Sequence, residues 1–534
     1  MSTVRNADPG GLEAWVIKNS SWLALAIVAL AFAIRLIYAN ACYLNPDEAL
    51  HFDTARPGNW VDVFRSSLRL AHPPLFILVL HGFLFLGRAE LILRLASVLG
   101  GTAALWFTFV WIRNSVGEIP ALAGLGFMAL SPAAISASTE VRQYGLLLFF
   151  VCGSLYATEH IFEERSSAWM VIQGVFLLGA LLTNYTVVLV LASLGIYVLL
   201  RIFLDNLSGR VLITFCASQL FLATVLVCFY LGHVRRSIPF GAGAMDYLQH
   251  YYYSSAHETR LGFLWRSLSG TFSYMAGNRL LALPFMLAFL AGLAALIAGK
   301  TKAPRTMGLL IILPFIVGFT AAAFQVFPFA GTRHQTYLLP FVAAGISAVF
   351  AILPHRWTVP LLLFGAVISP FWIRHAPPDN DPRVMPRSDM TAALNYVRQT
   401  VPKGALLFLD TDTREILEYY LERDDRSLDT LRSEAEVEEQ LGGYRSIVLV
   451  ESITKSIIQD PRLATTDFAP HPNESMEQVV RSARALGVPL GDPVWVFSVA
   501  WKEPPMALQL KPENDREIKE FGQISVVRFL VDQQ

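Results

Sequence analysis

Cysteine is scarce in this chain, four residues among 534, and Cys42, Cys152, Cys216 and Cys228 fall in or beside apolar runs without metal-type spacing. Neither a disulfide framework nor a structural zinc site fits that pattern. Small buried hydrophobes are the expected role of the four. Charge is scarce too: 16% of residues are Asp, Glu, Lys or Arg, where soluble domains carry roughly 25%. With 42 basic against 42 acidic residues, there is no basic excess of the kind that marks a nucleic-acid partner. A P-loop and a dinucleotide fingerprint are both missing, as are internal repeats and low-complexity tracts. The first apolar run lacks a small-residue cleavage site, so the sequence predicts a retained anchor instead of a cleaved signal peptide.

Apolar residues are plentiful. They make up 54% of the chain, with a mean hydropathy of +0.46, and they come in blocks close to the roughly 20 residues that cross a bilayer as a helix. The sequence therefore predicts a polytopic all-α membrane domain, since helices satisfy their own backbone groups in hydrocarbon. Windows of about 19 residues place eleven spans near 22–41, 91–112, 119–138, 144–162, 168–183, 186–204, 211–231, 280–299, 307–327, 335–353 and 357–373. The run 74–87 is shorter and follows an amphipathic stretch at 59–70. Both read as interfacial helices. Leaving 74–87 out of the span count puts Asp47, Glu140, Asn184, Arg333 and the C-terminal tail on one side. Lys18, Lys300, Lys302 and many short-loop arginines then fall on the other, which reads as cytoplasmic.

Beyond residue 376 the pattern changes. Residues 375–534 hold 27 acidic and 18 basic residues, leaving 15 acidic and 24 basic in the rest. Helical stretches at 388–400 and 476–486 alternate with strand-like runs at 406–409, 447–450, 494–499 and 525–531. We thus expect a transmembrane domain over 1–376 and a soluble α/β extracytoplasmic domain over 377–534. The basic membrane part suits anionic headgroups and lipid phosphates.

Charged motifs gather at the predicted outer face. Asp47 and Glu48 stand in NPDEALHFDTA directly after the first span, where adjacent carboxylates can supply a general base or hold a divalent cation; a solvated loop start is the plain alternative. His51 shares a helix face with Asp47 if Pro46 opens a helix. His72 lies in AHPPL, whose prolines make a rigid corner and whose histidine can donate to a phosphate. In STEVRQYGLLL, Glu140 and Arg142 sit between two spans, where charge is expensive and marks a site or an internal ion pair; Glu140 and Tyr144 have the spacing to share a helix face. TNYT at 183–186 returns the chain, with Tyr185 as an interface anchor or a site residue. GTRHQTYLLP at 331–340 brings Arg333 and His334 to a span mouth, where a guanidinium matches a phosphate or snorkels to headgroups. Arg35 and Arg94, inside spans, read as snorkelling or packing residues.

In order along 22–374, the elements PDEAL, HPPL, RLASVLGG, SPAAISASTEVRQYGLLL, TNYT and RHQTYLLP resemble the GT-C membrane glycosyltransferases. The likeness is greatest to the branch of protein O-mannosyltransferases and the lipid A aminoarabinose transferase. The resemblance implies a bundle of eleven to thirteen helices and a polyprenyl-phosphate sugar donor in place of a nucleotide sugar. It implies Asp47 at the catalytic acidic position with Glu48 beside it, Glu140 at the second acidic position, and Arg333 close to the donor phosphate. The tail is not the β-trefoil of eukaryotic protein O-mannosyltransferases.

These readings lead to an inverting sugar transfer at the extracytoplasmic face. Asp47 serves as base; Arg142, Arg333, His72, His334, Tyr144 and Tyr185 line the donor phosphate and substrate; no cofactor is required. The partners expected are the lipid-linked donor, an extracytoplasmic hydroxyl acceptor (lipid, glycan or protein) and the bilayer, in a bacterial inner membrane with the N-terminus cytoplasmic. A multi-span transporter or flippase, and a non-catalytic envelope scaffold, are the competing classes. The absence of repeats and the one-sided placement of charge disfavour a transporter.

Overall fold

The structure is a computed structural model that describes residues 11–205, 207–235, 251–299, 302–375, 381–400, 407–409, 416–417, 419–420, 493–499 and 516–530. It is mostly helical, and the chain divides into two compact units: 1–39, 61–86 and 91–379 form the first, and 40–60, 87–90 and 380–534 the second.

Among the described residues, eight helices are long and apolar enough to cross a bilayer: Ser20–Ala41, Glu90–Val116, Tyr144–Glu163, Val187–Leu204, Gly209–Val234, Arg279–Ile297, Pro304–Ala323 and Arg333–Ala351. Each coincides with an expected span. The expected span 119–138 is instead two helices, Glu118–Leu130 and Pro132–Thr139, meeting at 59°. The expected span 168–183 appears as a shorter apolar helix, Ser167–Leu181, and the expected span 357–373 lies within the helix His355–His375, whose apolar stretch is Arg356–Ile368. The 74–87 run forms the ten-residue helix Leu75–Leu84, and Trp60–Ser67 is the short amphipathic helix before it.

The break at residue 131 explains a buried charge. Pro132 has no N–H, so the Met128 carbonyl loses the donor that would continue the helix. Arg35, fully buried in the first long helix, supplies it: Nη2 donates to Met128 O at 3.3 Å, and Nη1 to Ala129 O and Ala31 O at 3.2 Å. Arg94, also fully buried, donates to Ala39 O at 2.7 Å. Both arginines therefore follow the packing alternative, with their charge spread over backbone carbonyls. Small residues let the helices touch. A Cβ on Gly145 would overlap the Ser97 carbonyl oxygen, and one on Gly331 would overlap Gly270 O.

In the second unit the described strands are β1 (Leu407–Leu409), β2 (Pro493–Val499), β3 (Arg516–Phe521) and β4 (Ile524–Leu530), ordered β1-β2-β4-β3. β1 runs parallel to β2, and the other pairs are antiparallel. Gly522 turns the β3–β4 hairpin at φ +59°, a conformation that favours glycine. The Arg387–Thr400 helix packs on β3 and β4, burying Met390, Ala393, Leu394 and Val397, while Trp495, Phe497, Ile524 and Val526 are buried on the sheet. The expected strand 447–450 and helix 476–486 lie outside the described residues.

Candidate functional site

In the second unit the acidic pair sits on a capped helix. Pro46 occupies the first turn of Pro46–Ala55, where its missing N–H costs nothing. Asn45 Oδ1 accepts from Glu48 N at 3.0 Å, and Glu48 Oε2 accepts from Asn45 N at 3.0 Å, a reciprocal capping box. Glu48 and Asn45 are buried, whereas Asp47 is half-buried. The two carboxylates thus differ in surroundings: Glu48 is committed to the helix start, and Asp47 is the one reached by solvent. His51 Nδ1 donates to the Asp47 carbonyl oxygen, which holds the imidazole against this turn.

Around this helix lies a lattice that sequence reading did not identify. Tyr420 accepts from Leu44 N at 3.1 Å and donates to Glu90 Oε1 at 3.2 Å. Glu90, 1% exposed, meets Arg387 Nη1 at 3.6 Å with its other oxygen. Tyr419 donates to Arg88 O at 2.8 Å and packs edge-on against Phe52 at 5.0 Å. Tyr43 N donates to Met385 O at 3.2 Å beside the Cys42–Pro386 bridge. Burial pushes the Tyr43 phenol above the usual tyrosine range, with Asp389 and then Cys42 adding to the effect. The segment after the first span is therefore held by residues more than 300 positions away. Separations of that length leave no local signal, although the pair of tyrosines in EYY was a visible aromatic cluster.

The remaining candidates lie in the first unit. Glu140 and Arg142 are both buried, on a tight turn in which Arg142 N donates to Glu140 O at 2.7 Å and Ser97 Oγ donates to Arg142 O at 2.7 Å. Glu140 has extended backbone (φ −111°, ψ 154°), and the next helix starts at Tyr144. The expectation that Glu140 and Tyr144 share a helix face is therefore corrected. It is Arg142 whose guanidinium lies over the Tyr144 ring, 5.8 Å from its centroid. Arg333 and His334, half-buried, open the 3-10 helix Arg333–Leu338, which packs against both Pro132–Thr139 and Tyr144–Glu163. The 3-10 helix of Arg333 thus packs against the two helices that flank the turn of Glu140 and Arg142.

His72 is half-buried between two anchored neighbours. Leu75 N donates to Leu182 O at 3.0 Å, and Leu70 O accepts from His233 Nε2 at 2.7 Å. Because a carbonyl only accepts, Nε2 carries the proton and Nδ1 accepts from Tyr185 OH at 2.7 Å. Burial raises the Tyr185 phenol above its ordinary value, so it remains a neutral donor. His233 fastens the HPPL corner to the TNYT turn; in the sequence it is a lone histidine at the end of an apolar run. Among the described residues no three His, Cys, Asp or Glu side chains gather as a metal site.

Comparison with known proteins bears on this arrangement. Residues 71–231 match the family model "Dolichyl-phosphate-mannose-protein mannosyltransferase". The fold is similar to that of ArnT from Cupriavidus metallidurans bound to undecaprenyl phosphate, with a TM-score of 0.50 and 14% identity over 95% of this chain and 98% of that one. The S. cerevisiae protein O-mannosyltransferase Pmt1-Pmt2 complex bound to the sugar donor matches at a TM-score of 0.33 and 16% identity, over 42% of this chain and 36% of that one. No curated protein matches at the level of sequence. The chain has a GT-C glycosyltransferase fold in an integral membrane protein, and it resembles the protein O-mannosyltransferase and ArnT-like branch of that superfamily.

Proposed function

We propose that this protein transfers a sugar from a polyprenyl-phosphate donor to a hydroxyl of an extracytoplasmic acceptor, with inversion at the anomeric carbon. The acceptor oxygen attacks that carbon as Asp47 takes its proton, the bond to the phosphate oxygen breaks, and the lipid phosphate departs. Arg142 and Arg333 stabilise the charge on the leaving phosphate, and His72 and His334 are the lesser donors there. Glu140 orients the acceptor or pairs with Arg142. The carrier's isoprenoid chain lies among the helices, in a bacterial inner membrane with the N-terminus cytoplasmic and the acidic loop and tail outside.

One observation carries the assignment of the base: the capping box commits Glu48 to the backbone of Asn45, while Asp47, one residue earlier, is half-exposed. The same arrangement argues for a metal-independent reaction, because one carboxylate of the pair is already occupied. The family match over 71–231 supports the donor class.

The test uses purified full-length protein with synthetic polyprenyl-phosphate sugars and envelope extracts as acceptor. Asp47→Asn keeps the side-chain shape and removes the base, so turnover is expected to fall about 10²- to 10⁴-fold with donor affinity little changed. Near-normal turnover in this variant would move the base elsewhere, first to Glu140.

A further inference from the structure

Among the buried side chains of the first unit that keep an unpartnered polar atom, three uncharged ones stand at the turns of Arg142 and Arg333. Gln143 is 1% exposed, and neither its amide nitrogen nor its amide oxygen has a hydrogen-bond partner among the described residues. The Tyr144 hydroxyl, on a residue 2% exposed, likewise has none. Gln335, 1% exposed, meets Thr271 Oγ1 at 2.9 Å with one end of its amide. Whichever way that amide is turned, its other end has no partner. Folded proteins leave few buried polar groups unpaired, because removal from water is then uncompensated.

Gln143 and Tyr144 follow Arg142 directly, Gln335 stands two residues after Arg333, and the 3-10 helix that carries Gln335 packs against the helix that begins at Tyr144. Each turn therefore pairs a guanidinium with neutral hydrogen-bonding groups. The phosphodiester that joins lipid to sugar offers only acceptors and satisfies the arginines. An amide offers donors and an acceptor together, and its complement is a hydroxyl, which does both.

We propose that Gln143, Gln335 and Tyr144 form a subsite that reads the hydroxyl groups of the donor's sugar, making them specificity-determining residues distinct from those that hold the phosphate. This inference rests on the lipid-phosphate donor proposed above. Arg142 stacks against the Tyr144 ring, so the phosphate-holding and sugar-reading groups are mechanically linked, and a sugar with misplaced hydroxyls leaves buried amides unpaired. That penalty is the means by which hydrogen-bonding sites reject close analogues.

The experiment measures affinity of the full-length protein in nanodiscs for bare polyprenyl phosphate and for a synthetic panel of polyprenyl-phosphate hexoses and pentoses. The wild-type protein is expected to bind at least one sugar-bearing lipid about tenfold or more tighter than the bare lipid phosphate, a factor equivalent to one good hydrogen bond. The double variant Gln143→Met, Gln335→Met should lose that increment and keep its affinity for bare polyprenyl phosphate, which also reports that the site has folded. Each single variant should lose part of the increment, so the comparison survives if the double variant is unstable. An increment retained in all three variants overturns the subsite, as does a wild type with no increment, or a parallel fall in both affinities in every variant. Wild-type protein that binds neither lipid refutes the donor reading itself, an outcome distinct from these.

Discussion

Substitution of Glu48 separates the two acidic neighbours by kind. In Glu48→Ala the Asn45 N–H, on a residue 1% exposed, loses the acceptor it meets at 3.0 Å. A buried donor left unpaired costs about 1–3 kcal/mol. Glu48→Gln keeps an acceptor at the same place and gives up only the charge assistance, a loss of about 1 kcal/mol. Neither change touches Asp47, so the activity that remains should track the folded fraction. Asp47→Asn runs the other way: the cap is intact, and a 10²- to 10⁴-fold loss of turnover corresponds to about 3–5 kcal/mol of barrier. Thermal unfolding of the full chain in detergent, with turnover read at saturating donor well below the transition, gives both quantities for each variant. The expected order is Glu48→Ala least stable and Asp47→Asn least active. A Glu48→Gln protein that unfolds like the wild type yet turns over a hundredfold more slowly would refute the division and return Glu48 to the chemistry.

Gly145→Ala should destabilise the protein by about 1–3 kcal/mol, the range for overpacking, because the added methyl meets the Ser97 backbone carbonyl, which cannot rotate away; an unchanged unfolding midpoint would contradict that contact. Arg333→Ala should weaken donor binding more than it slows the bound complex, as expected for a cation that contacts the phosphate throughout the reaction, and titration of polyprenyl phosphate measures it. Turnover should be unchanged after exhaustive chelation, and recovery with added divalent cation would restore the metal reading of the acidic pair. Single cysteines at positions 47 and 333, both half-buried, should be labelled by an impermeant reagent from the extracytoplasmic side. Labelling of the two from opposite sides would overturn the proposed map.

The long helices were readable because hydrocarbon demands continuous apolar runs, and each of the eight stands where such a run lies. The bend after Leu130 was announced by Ser131-Pro132, but not the arginine from another helix that satisfies the carbonyls there. Asn45, Pro46 and Glu48 have the spacing of a capping box, so Glu48's structural role was within reach of sequence reasoning. The anchoring of that helix through Tyr419, Tyr420 and Glu90 was not, since nothing local relates residues some 330 positions apart. Gln143 and Gln335 escaped for a different reason: neutral amides are unremarked in a sequence, and only burial without partners makes them conspicuous.

The lattice around Tyr420 also sets the order in which the protein is completed. Leu44 and Tyr420 are separated by 376 residues, which at 5–20 residues per second is roughly 20–75 s of synthesis. Throughout that interval the Asp47 helix has its cap, but neither Tyr420 at Leu44 nor Tyr419 against Phe52. A nascent chain, already inserted through its early spans, therefore carries its acidic loop unsupported until about four-fifths of the 534 residues have been made. Any chain interrupted before residue 419 releases a membrane protein whose acidic helix is capped but never seated.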